Sequence, residues 1–439
     1  MAEKRKNLIQ LFIPICLETL LYMLAGMVDT LMLSSVSDHA VGAVGTANTY
    51  IGMFIVMFSI VTSGMMAVMT QNIGAGRPGV AYQAKQLGIV FNSVLGIIIS
   101  IVLFVFSDII LETVGIAKLL KDDASVYLKI VGGFSFFNAL IPIFSGYLRA
   151  FGHTKHSLIA TVMGNLINFV LNALFLFKFN MGVKGVAIAT VISKVVNLVI
   201  VVVISHILVK AHKDENRLEV KQILKQIIFI GLPSALETII YNLAMTIIIK
   251  FLNQMDAEGF NVTARSYAAQ ITNFSLTAGA ALAQANAIMT GWRIGAKEFD
   301  ECDRGTRKAA VTGIAVAVIL EGVFALSAGW IMRIFSDDPE MVKLVQILLT
   351  IDIVLEIGRI TNLVYGNALK TSGDAIFPVV IATVFMYLCA VGGTYLFGIR
   401  LGMLAVGTYI GLAMDECVRA VAMFLRWKSG KWRTKSLVK

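Results

Sequence analysis

LFIPICLETLLYMLAGMVDT, residues 11–30, is the stretch of sequence that decides the fold. It is almost wholly apolar, yet it contains a proline, a glutamate and an aspartate. Part of the stretch recurs at 230–243 as IGLPSALETIIYNL, and the matching residues lie 219 positions apart. The recurring pairs include Pro14 and Pro233, Glu18 and Glu237, and Tyr22 and Tyr241. Because this spacing is half of the 439 residues, the chain is predicted to be one unit used twice.

Composition places the chain in a membrane. Charged residues make up 15% of it, against about 25% in soluble domains, and hydrophobic residues make up 57%. The mean hydropathy is +0.81. The first apolar run is predicted to be a membrane helix and not a cleaved signal peptide, because it is long and contains Pro14 and Glu18.

Twelve apolar segments are long enough to cross a membrane, which requires about 20 residues. These segments are 8–33, 45–69, 86–106, 125–147, 157–177, 185–209, 226–249, 262–290, 309–332, 344–365, 376–397 and 401–425. Because six is an even number, both halves begin on the same side of the membrane. The predicted fold class is therefore an all-α polytopic membrane protein with twelve transmembrane helices in two six-helix parallel repeats, an arrangement found in transporters.

Basic residues predict the domain limits and the orientation. The only sustained polar stretch in the middle follows residue 209, so we predict a six-helix bundle at 1–212, a cytoplasmic linker at 213–225, and a second bundle with a short basic tail at 226–439. The N-terminus, the even-numbered loops and the tail hold 24 lysines and arginines, and the odd-numbered loops hold 8. The positive-inside rule then predicts a multi-pass protein of the inner (plasma) membrane with both termini in the cytoplasm.

Several functional classes are disfavoured. The four cysteines and five histidines form no metal or redox motif, so we expect no cofactor. A membrane-embedded enzyme is disfavoured because the acidic pair Asp122-Asp123 has no second acidic motif, and a channel because nothing resembles a selectivity filter. The net charge of +10 follows the loop topology, so no nucleic-acid partner is expected.

Ionisable groups inside a bilayer are costly and face a cavity or a partner. Glu18 and Asp29 lie eleven residues apart, which places them within about 20° of one helical face. We predict that both, with Glu237, bind the coupling ion; the alternative is a hydrogen-bonded carboxylate that holds helices together. Tyr22 and Tyr241 each follow a glutamate by four residues and are predicted to line the substrate cavity.

Two further polar stripes occur at helical spacing. They are Asn165, Asn168 and Asn172 in the fifth span, and Asp352, Glu356 and Arg359 in the tenth. The amides either line a polar cavity or hydrogen-bond neighbouring helices. We predict that Asn168 and Asn172 contribute to the coupling-ion site. The residues predicted to line the substrate cavity are Asn165, Asp352, Glu356 and Arg359. The arginine is expected to neutralise one of its carboxylates. In the twelfth span, Asp415, Glu416 and Arg419 favour a structural ion pair, and the single charges Glu321 and Lys194 are expected to face the interior.

The chain resembles the multidrug and toxic compound extrusion (MATE) family over nearly its whole length. The matching motifs are GMVDT at 26–30, GAG at 74–76, LRAFG at 148–152, GVKG at 182–185 and GLP at 231–233. The resemblance implies two six-helix bundles around a central cleft. It also implies export of amphipathic, often cationic compounds against an inward flow of Na⁺ or H⁺.

The resemblance also implies roles for individual residues. Asp29 matches the coupling aspartate of the first helix, and Glu237 matches the seventh-helix acid of the sodium-linked branch. Asn168 matches a fifth-helix asparagine. Asn172 stands where many members of the family have an aspartate. Arg359 stands near the position where some members have an acid in the tenth helix. Na⁺ at Glu237 or Asp29, and H⁺, therefore both stay open as coupling ions.

These observations predict a cation- or proton-coupled antiporter that exports amphipathic, cationic small molecules by alternating access. A flippase for a lipid-linked or amphipathic lipid substrate, from the same superfamily, is the alternative. The expected partners are the small-molecule substrate and membrane lipids, and the protein is expected to be a monomer without enzymatic activity.

Overall fold

The computed structural model describes residues 6–113, 115–209, 218–256, 259–336 and 338–438. These residues are nearly all helical and contain no β-strand. They form fourteen α-helices: α1 Leu8–Ser34, α2 Asp38–Gly74, α3 Pro78–Val105, α4 Ser107–Thr113, α5 Lys118–Tyr127, α6 Phe136–Ala150, α7 Thr154–Ala173, α8 Gly182–Leu208, α9 Val220–Met255, α10 Phe260–Gly295, α11 Phe299–Ile331, α12 Pro339–Ser372, α13 Ile376–Phe385 and α14 Leu404–Lys428.

Several helices continue through π-helical turns, in which the backbone takes an extra residue per turn. These turns are Leu128–Gly132, Leu174–Lys178, Met386–Val391 and Thr394–Arg400. The first turn extends α5, and the helix then bends by 45° before α6. The segment predicted as the fourth span is therefore a bent pair of helices, which explains part of the difference between fourteen helices and twelve predicted spans.

Length and apolarity qualify eight helices of the described residues as membrane spans, or nine if the bent pair counts as one. The long helices α10, α12 and α14 do not qualify. The reason in α12 and α14 is their charge, since each carries an acidic pair and an arginine within a few turns. Apolarity alone identifies a membrane-embedded helical protein, but not each of its spans.

The chain divides into two units, Met1–Leu232 and Pro233–Lys439. Each unit has its own apolar core. In the first, α1 packs against α7, α7 against α8, and α2 against α3; in the second, α12 packs against α10, α11 and α14. The boundary lies inside α9. Of the predicted linker 213–225, residues 213–217 lie outside the described residues, and residues 220–225 form the first turns of α9.

Two glycines let the first part of α9 contact α2 closely. A Cβ atom added at Gly64 would lie 2.0 Å from the carbonyl oxygen of Ile227, and one at Gly231 would lie 1.6 Å from that of Ile60. Small residues at helix crossings allow such backbone contact in membrane proteins. This crossing belongs to the first unit.

Local backbone features recur in the two units at spacings of 221 and 220 positions, close to the 219 seen in the first helices. Gly152 and Gly373 both adopt positive φ, at 81° and 99°, and so do Gly182 and Gly402, at 55° and 68°. Glycine adopts this conformation without the steric cost that other residues incur. The positions that share a sequence motif therefore also share a backbone turn.

Candidate functional site

A polar seam joins α1 to α7 in the first unit. Five polar residues of α7 follow one another at spacings of three or four, so they share one helical face. They are Ser157, Thr161, Asn165, Asn168 and Asn172. Four of them bond to α1 directly, and Asn168 does so through Asn172. We call this set the polar seam.

Glu18 lies at one end of the polar seam and is 2% exposed. Its Oε1 lies 2.8 Å from Nη2 of Arg149, and it accepts hydrogen bonds from Ser157 at 3.0 Å and Thr161 at 3.1 Å. The hydroxyl of Thr161 is also 3.3 Å from that of Tyr22. The positive charge and hydroxyl donors hold Glu18 as a buried ion pair.

Asp29 lies at the other end of the polar seam. Nδ2 of Asn172 donates to Oδ1 of Asp29 at 2.7 Å and to Oδ1 of Asn168 at 3.2 Å. Asn172 is fully buried, and its own Oδ1 has no hydrogen-bond partner among the described residues. Among the residues that the structure describes, no basic side chain lies within salt-bridge distance of Asp29. Asp29 is thus held by an amide where Glu18 is held by a cation.

Lys194 of α8 faces the space between these two ends. Its Nζ lies 5.4 Å from the centre of the Tyr22 ring, and its charge acts on Asp29 at longer range. Tyr127, which is buried, contacts Thr190 of the same helix and is within electrostatic range of Asp29. A carboxylate, an ammonium and a phenol therefore surround one region of the first unit.

Asn165, predicted to line a cavity, donates to the backbone carbonyl of Leu21 at 3.3 Å. This bond links α7 to α1 directly. Of the three predicted amides, Asn168 and Asn172 lie at the Asp29 end of the polar seam, and Asn165 lies in the middle of it.

The second unit repeats the ion pair of the first. Nζ of Lys370 lies 2.5 Å from Oε2 of Glu237. Glu237 is separated from Glu18 by 219 positions, and Lys370 from Arg149 by 221. The first helix of each half therefore carries a glutamate that is neutralised by a base at the end of its fourth segment.

A second group of charges lies on α12 and on two helices packed against it, α11 and α14. We call it the acidic cluster; its carboxylates are all buried, and they outnumber its guanidinium groups. Its members are Glu321, Asp352, Glu356, Asp415 and Glu416, with Arg359 and Arg419.

Ion pairs connect the acidic cluster. Arg359 contacts Glu356, as expected for a neutralising arginine, and its Nε lies 3.6 Å from Glu416. Arg419 is 2.7 Å from Asp415 and 2.8 Å from Glu416. Tyr241, which is 38% exposed, lies within electrostatic range of Arg359 but outside these pairs.

Two acids of the acidic cluster, Glu321 and Asp352, form no ion pair within the described residues. Both carboxylate oxygens of Glu321, and Oδ2 of Asp352, are buried without a hydrogen-bond partner in the described residues. Glu321 is buried, as expected for a single charge that faces the interior. Glu321 was not among the predicted site residues, because a single charge in an apolar helix has no pattern around it.

The partners of the predicted acids were not predicted. Arg149 lies in the LRAFG motif at 148–152, but neither it nor Lys370, Ser157 or Thr161 was expected to contact a carboxylate. The sequence did contain a signal for these pairs. Arg149 and Lys370 recur between the halves at nearly the same spacing as Glu18 and Glu237. In the part of the chain that the structure describes, no group of three or more His, Cys, Asp or Glu residues is placed to hold a metal ion.

A helical, membrane-embedded fold with ionisable groups buried along its helices is typical of polytopic membrane proteins that move ions or substrates. The family model MatE matches residues 14–174 and 233–396. The chain therefore belongs to the MatE family of multidrug and toxic compound extrusion transporters, and the resemblance seen in the sequence is confirmed.

Similar proteins cover nearly the whole chain. The uncharacterized transporter YisQ of Bacillus subtilis is 34% identical over 442 residues, which are 99% of this chain and 97% of that protein. The probable multidrug resistance protein NorM of Thermotoga maritima is 24% identical and covers 99% of this chain and 95% of its own. Among solved structures, a mutant of the Vibrio cholerae MATE transporter VcmN has a TM-score of 0.87 at 20% identity, covering 98% of this chain and 97% of its own.

Proposed function

We propose that this MATE-family protein is a proton-coupled antiporter that exports amphipathic, cationic small molecules by alternating access. The observation that carries the proposal is the environment of Asp29, a carboxylate within a membrane helix that is held by the Asn172 amide and by no paired cation among the described residues. A site of this kind can exchange a proton or a cationic ligand without first breaking a salt bridge.

The other two predicted coupling acids are less suited to this role. Glu18 is paired with Arg149 and Glu237 with Lys370. Removing one partner of a buried ion pair leaves the other charge uncompensated, which is strongly unfavourable. We therefore assign coupling to Asp29 and treat the two glutamates as positioning residues.

Hydrogen-bond chemistry indicates how Asp29 would respond to a proton. The ionised carboxylate accepts from Nδ2 of Asn172, as in the structure. The protonated carboxyl becomes a donor, and the Oδ1 of Asn172, which lacks a partner in the described residues, is a nearby acceptor. A cationic substrate and a proton would compete for the same carboxylate, which is what antiport requires.

The same geometry favours a proton over Na⁺. At Glu237, the ammonium of Lys370 already supplies the positive charge that a sodium ion would bring. At Asp29, the ammonium of Lys194 acts on the carboxylate and would repel a metal cation bound there. A proton needs no shell of oxygen ligands. An inward proton would also gain about 2.3 kcal/mol per 100 mV of membrane potential.

The proposal also includes twelve helices crossing the plasma membrane, both termini in the cytoplasm and a monomer as the working unit. The repeats support its division into two equivalent halves. The two segments that match the family begin at Pro14 and Pro233, 219 positions apart. The Glu18–Arg149 and Glu237–Lys370 pairs recur at nearly the same spacing. No chemical change of the substrate is part of the proposal.

Substrate efflux from proteoliposomes tests the proposal directly. Purified protein is reconstituted, loaded with ethidium as a cationic amphipathic probe, and energised with ΔpH or ΔNa⁺, one gradient at a time. Wild-type protein should empty the vesicles under ΔpH. Asp29→Asn keeps the size and hydrogen bonding but removes the charge, so efflux should fall to the leak rate of protein-free vesicles. Asp38→Asn, at the exposed start of α2, is the matched control and should transport normally.

Other outcomes would contradict the proposal. Efflux under ΔNa⁺ but not under ΔpH would exclude a proton as the coupling ion. Wild-type rates in Asp29→Asn, with loss of efflux in Glu237→Gln, would move coupling to the second unit. Movement of a fluorescent lipid-linked substrate, with no movement of ethidium, would favour the flippase alternative.

A further inference from the structure

The C-terminal tail folds back onto the second unit. After α14, Gly430 adopts a positive φ of 70°, and the chain forms a short 3₁₀ helix, Lys431–Thr434. Trp432 is 1% exposed and stacks on Trp427 with ring centres 4.1 Å apart. Its indole Nε1 donates to the carbonyl of Trp427 at 2.9 Å. The tail is therefore an ordered part of the unit.

An ion pair with α11 and close contact with the end of α12 hold the tail in place. Arg433 of the tail lies 2.9 Å from Asp300, and Trp427 of α14, on which Trp432 stacks, donates from Nε1 to Oδ1 of Asp303 at 2.9 Å. A Cβ atom at Gly373, which ends α12, would lie 2.3 Å from the carbonyl oxygen of Lys435. The tail thus closes over the ends of α11 and α12.

A cavity of about 470 Å³ lies between the tail, α11 and α14. Its lining combines aromatic rings, basic side chains and one acid: Phe424, Trp427, Trp432, Arg307, Lys428, Arg433 and Asp303, with Gly430. The acid is already engaged, since Arg307 and Trp427 both bond to Asp303. Lys428 is exposed, and within the described residues no acid pairs with it. The cavity therefore presents a positive charge that the protein does not neutralise.

Apolar side chains continue from this cavity along the outer faces of two helices. On α14, Leu425 and Val421 precede Lys428 by three and seven residues, and they are 56% and 57% exposed. On α11, Val311 follows Arg307 by four residues and is 67% exposed. Residues at these spacings share a helical face. Each helix therefore carries a base at its end and exposed apolar side chains on the same face.

We propose that this cavity binds the phosphate headgroup of an anionic phospholipid, whose acyl chains lie along the exposed apolar faces of α11 and α14. Basic pockets between membrane helices bind anionic headgroups. The cavity is lined by basic side chains of α11, α14 and the tail, and its unneutralised charge selects an anionic lipid over a zwitterionic one. This inference does not depend on the coupling ion or the exported compound.

Lipid-dependent thermal stability of the purified full-length protein tests the site. The protein is titrated in detergent micelles with phosphatidylglycerol, phosphatidylcholine or inorganic phosphate, and its unfolding temperature is followed. Phosphatidylglycerol should stabilise the wild type, while phosphatidylcholine and inorganic phosphate should not. Lys428→Gln should lower the apparent affinity for phosphatidylglycerol about fivefold. This is the equivalent of about 1 kcal/mol for one basic group at an anionic surface.

Two variants make the test specific. Lys308→Gln removes an exposed charge of α11 that does not line the cavity, so it should respond to phosphatidylglycerol like the wild type. Lys428→Arg keeps the charge and should retain the effect. Equal loss in Lys428→Gln and Lys308→Gln would overturn the site. Stabilisation by inorganic phosphate equal to that by phosphatidylglycerol would show an anion site without a lipid.

Discussion

At the scale of single residues, the carboxylates in the membrane helices differ in what holds them. Glu18 pairs with a guanidinium and Glu237 with an ammonium, whereas Asp29 accepts from an amide and forms no ion pair within the described residues. In an apolar medium a paired charge is costly to disturb, whereas an amide-held carboxylate can change its protonation state at lower cost. A carboxylate therefore holds helices together in two places and remains available for a ligand in a third.

The Glu18–Arg149 pair predicts a specific pattern of stability. Arg149→Met leaves a buried carboxylate without its cation and should destabilise the protein by about 3–5 kcal/mol. The double variant Glu18→Gln/Arg149→Met removes both charges, while the glutamine still bonds to Ser157 and Thr161, so it should recover most of that loss. Thermal unfolding of the purified protein in detergent gives both values.

The control for this experiment is Lys184→Met, which removes an exposed charge near the start of α8 and should leave the unfolding temperature unchanged. A double variant as unstable as Arg149→Met alone would show that the arginine acts through packing and not through its charge.

The predicted acids could be recognised in the sequence because each recurs between the halves or shares a helical face with another charged residue, whereas Glu321 does neither. The partners of those acids could not be recognised, because helical spacing relates residues only within one helix. Arg149 is 131 positions from Glu18, and Lys370 is 133 from Glu237. Which distant base approaches which acid depends on how the helices pack.

At the scale of helices, the crossing of α2 and α9 depends on two small residues. Gly64→Ala would place a methyl group against the backbone of Ile227, and one of the helices would have to move. Overpacking of this kind costs about 1–3 kcal/mol. We expect a lower unfolding temperature in detergent and lower yield in the membrane.

Gly52→Ala provides the matched control on the same helix, because nothing lies within 4 Å of a Cβ atom at that position. Alanine has the higher helix propensity, so this variant should be as stable as the wild type or slightly more stable. Equal effects at the two positions would mean that helix propensity, and not the crossing, determines the outcome.

Helix positions were largely predictable, since each predicted apolar segment overlaps helical structure. Helix ends were not. The segment predicted at 45–69 lies within α2, Asp38–Gly74, because the polar residues at both ends continue the helix once Ser37 caps it. The π-helical turns also have no hydropathic signal, because they change the backbone hydrogen bonds without changing the residue types.

At the scale of the whole molecule, the distribution of basic residues predicts which side each loop faces. The test uses single cysteines in a background that lacks Cys16, Cys302, Cys389 and Cys417. Val36, 47% exposed between α1 and α2, is the external probe, because the adjacent Ser37 is needed to cap α2. Glu301, exposed at the start of α11, is the internal probe.

An impermeant maleimide added to intact cells should label Val36→Cys and should label Glu301→Cys only after permeabilisation. This follows from the positive-inside rule. The reverse pattern would invert the topology while leaving the fold unchanged. The comparison matters because hydropathy supports eight or nine spans in the described residues, and the parity of the full set decides on which side each loop lies.

The duplicated sequence raises the question of whether the halves could exist as separate gene products. The unit boundary falls within α9, so residues 220–232 belong by their contacts to the first unit although they continue into the second. Gly231 and Ile227 rest directly on α2, and Gln83 of α3 bonds to Leu218 just before α9. A half-gene beginning before α9 would therefore produce a helix whose first turns had lost the surface they contact.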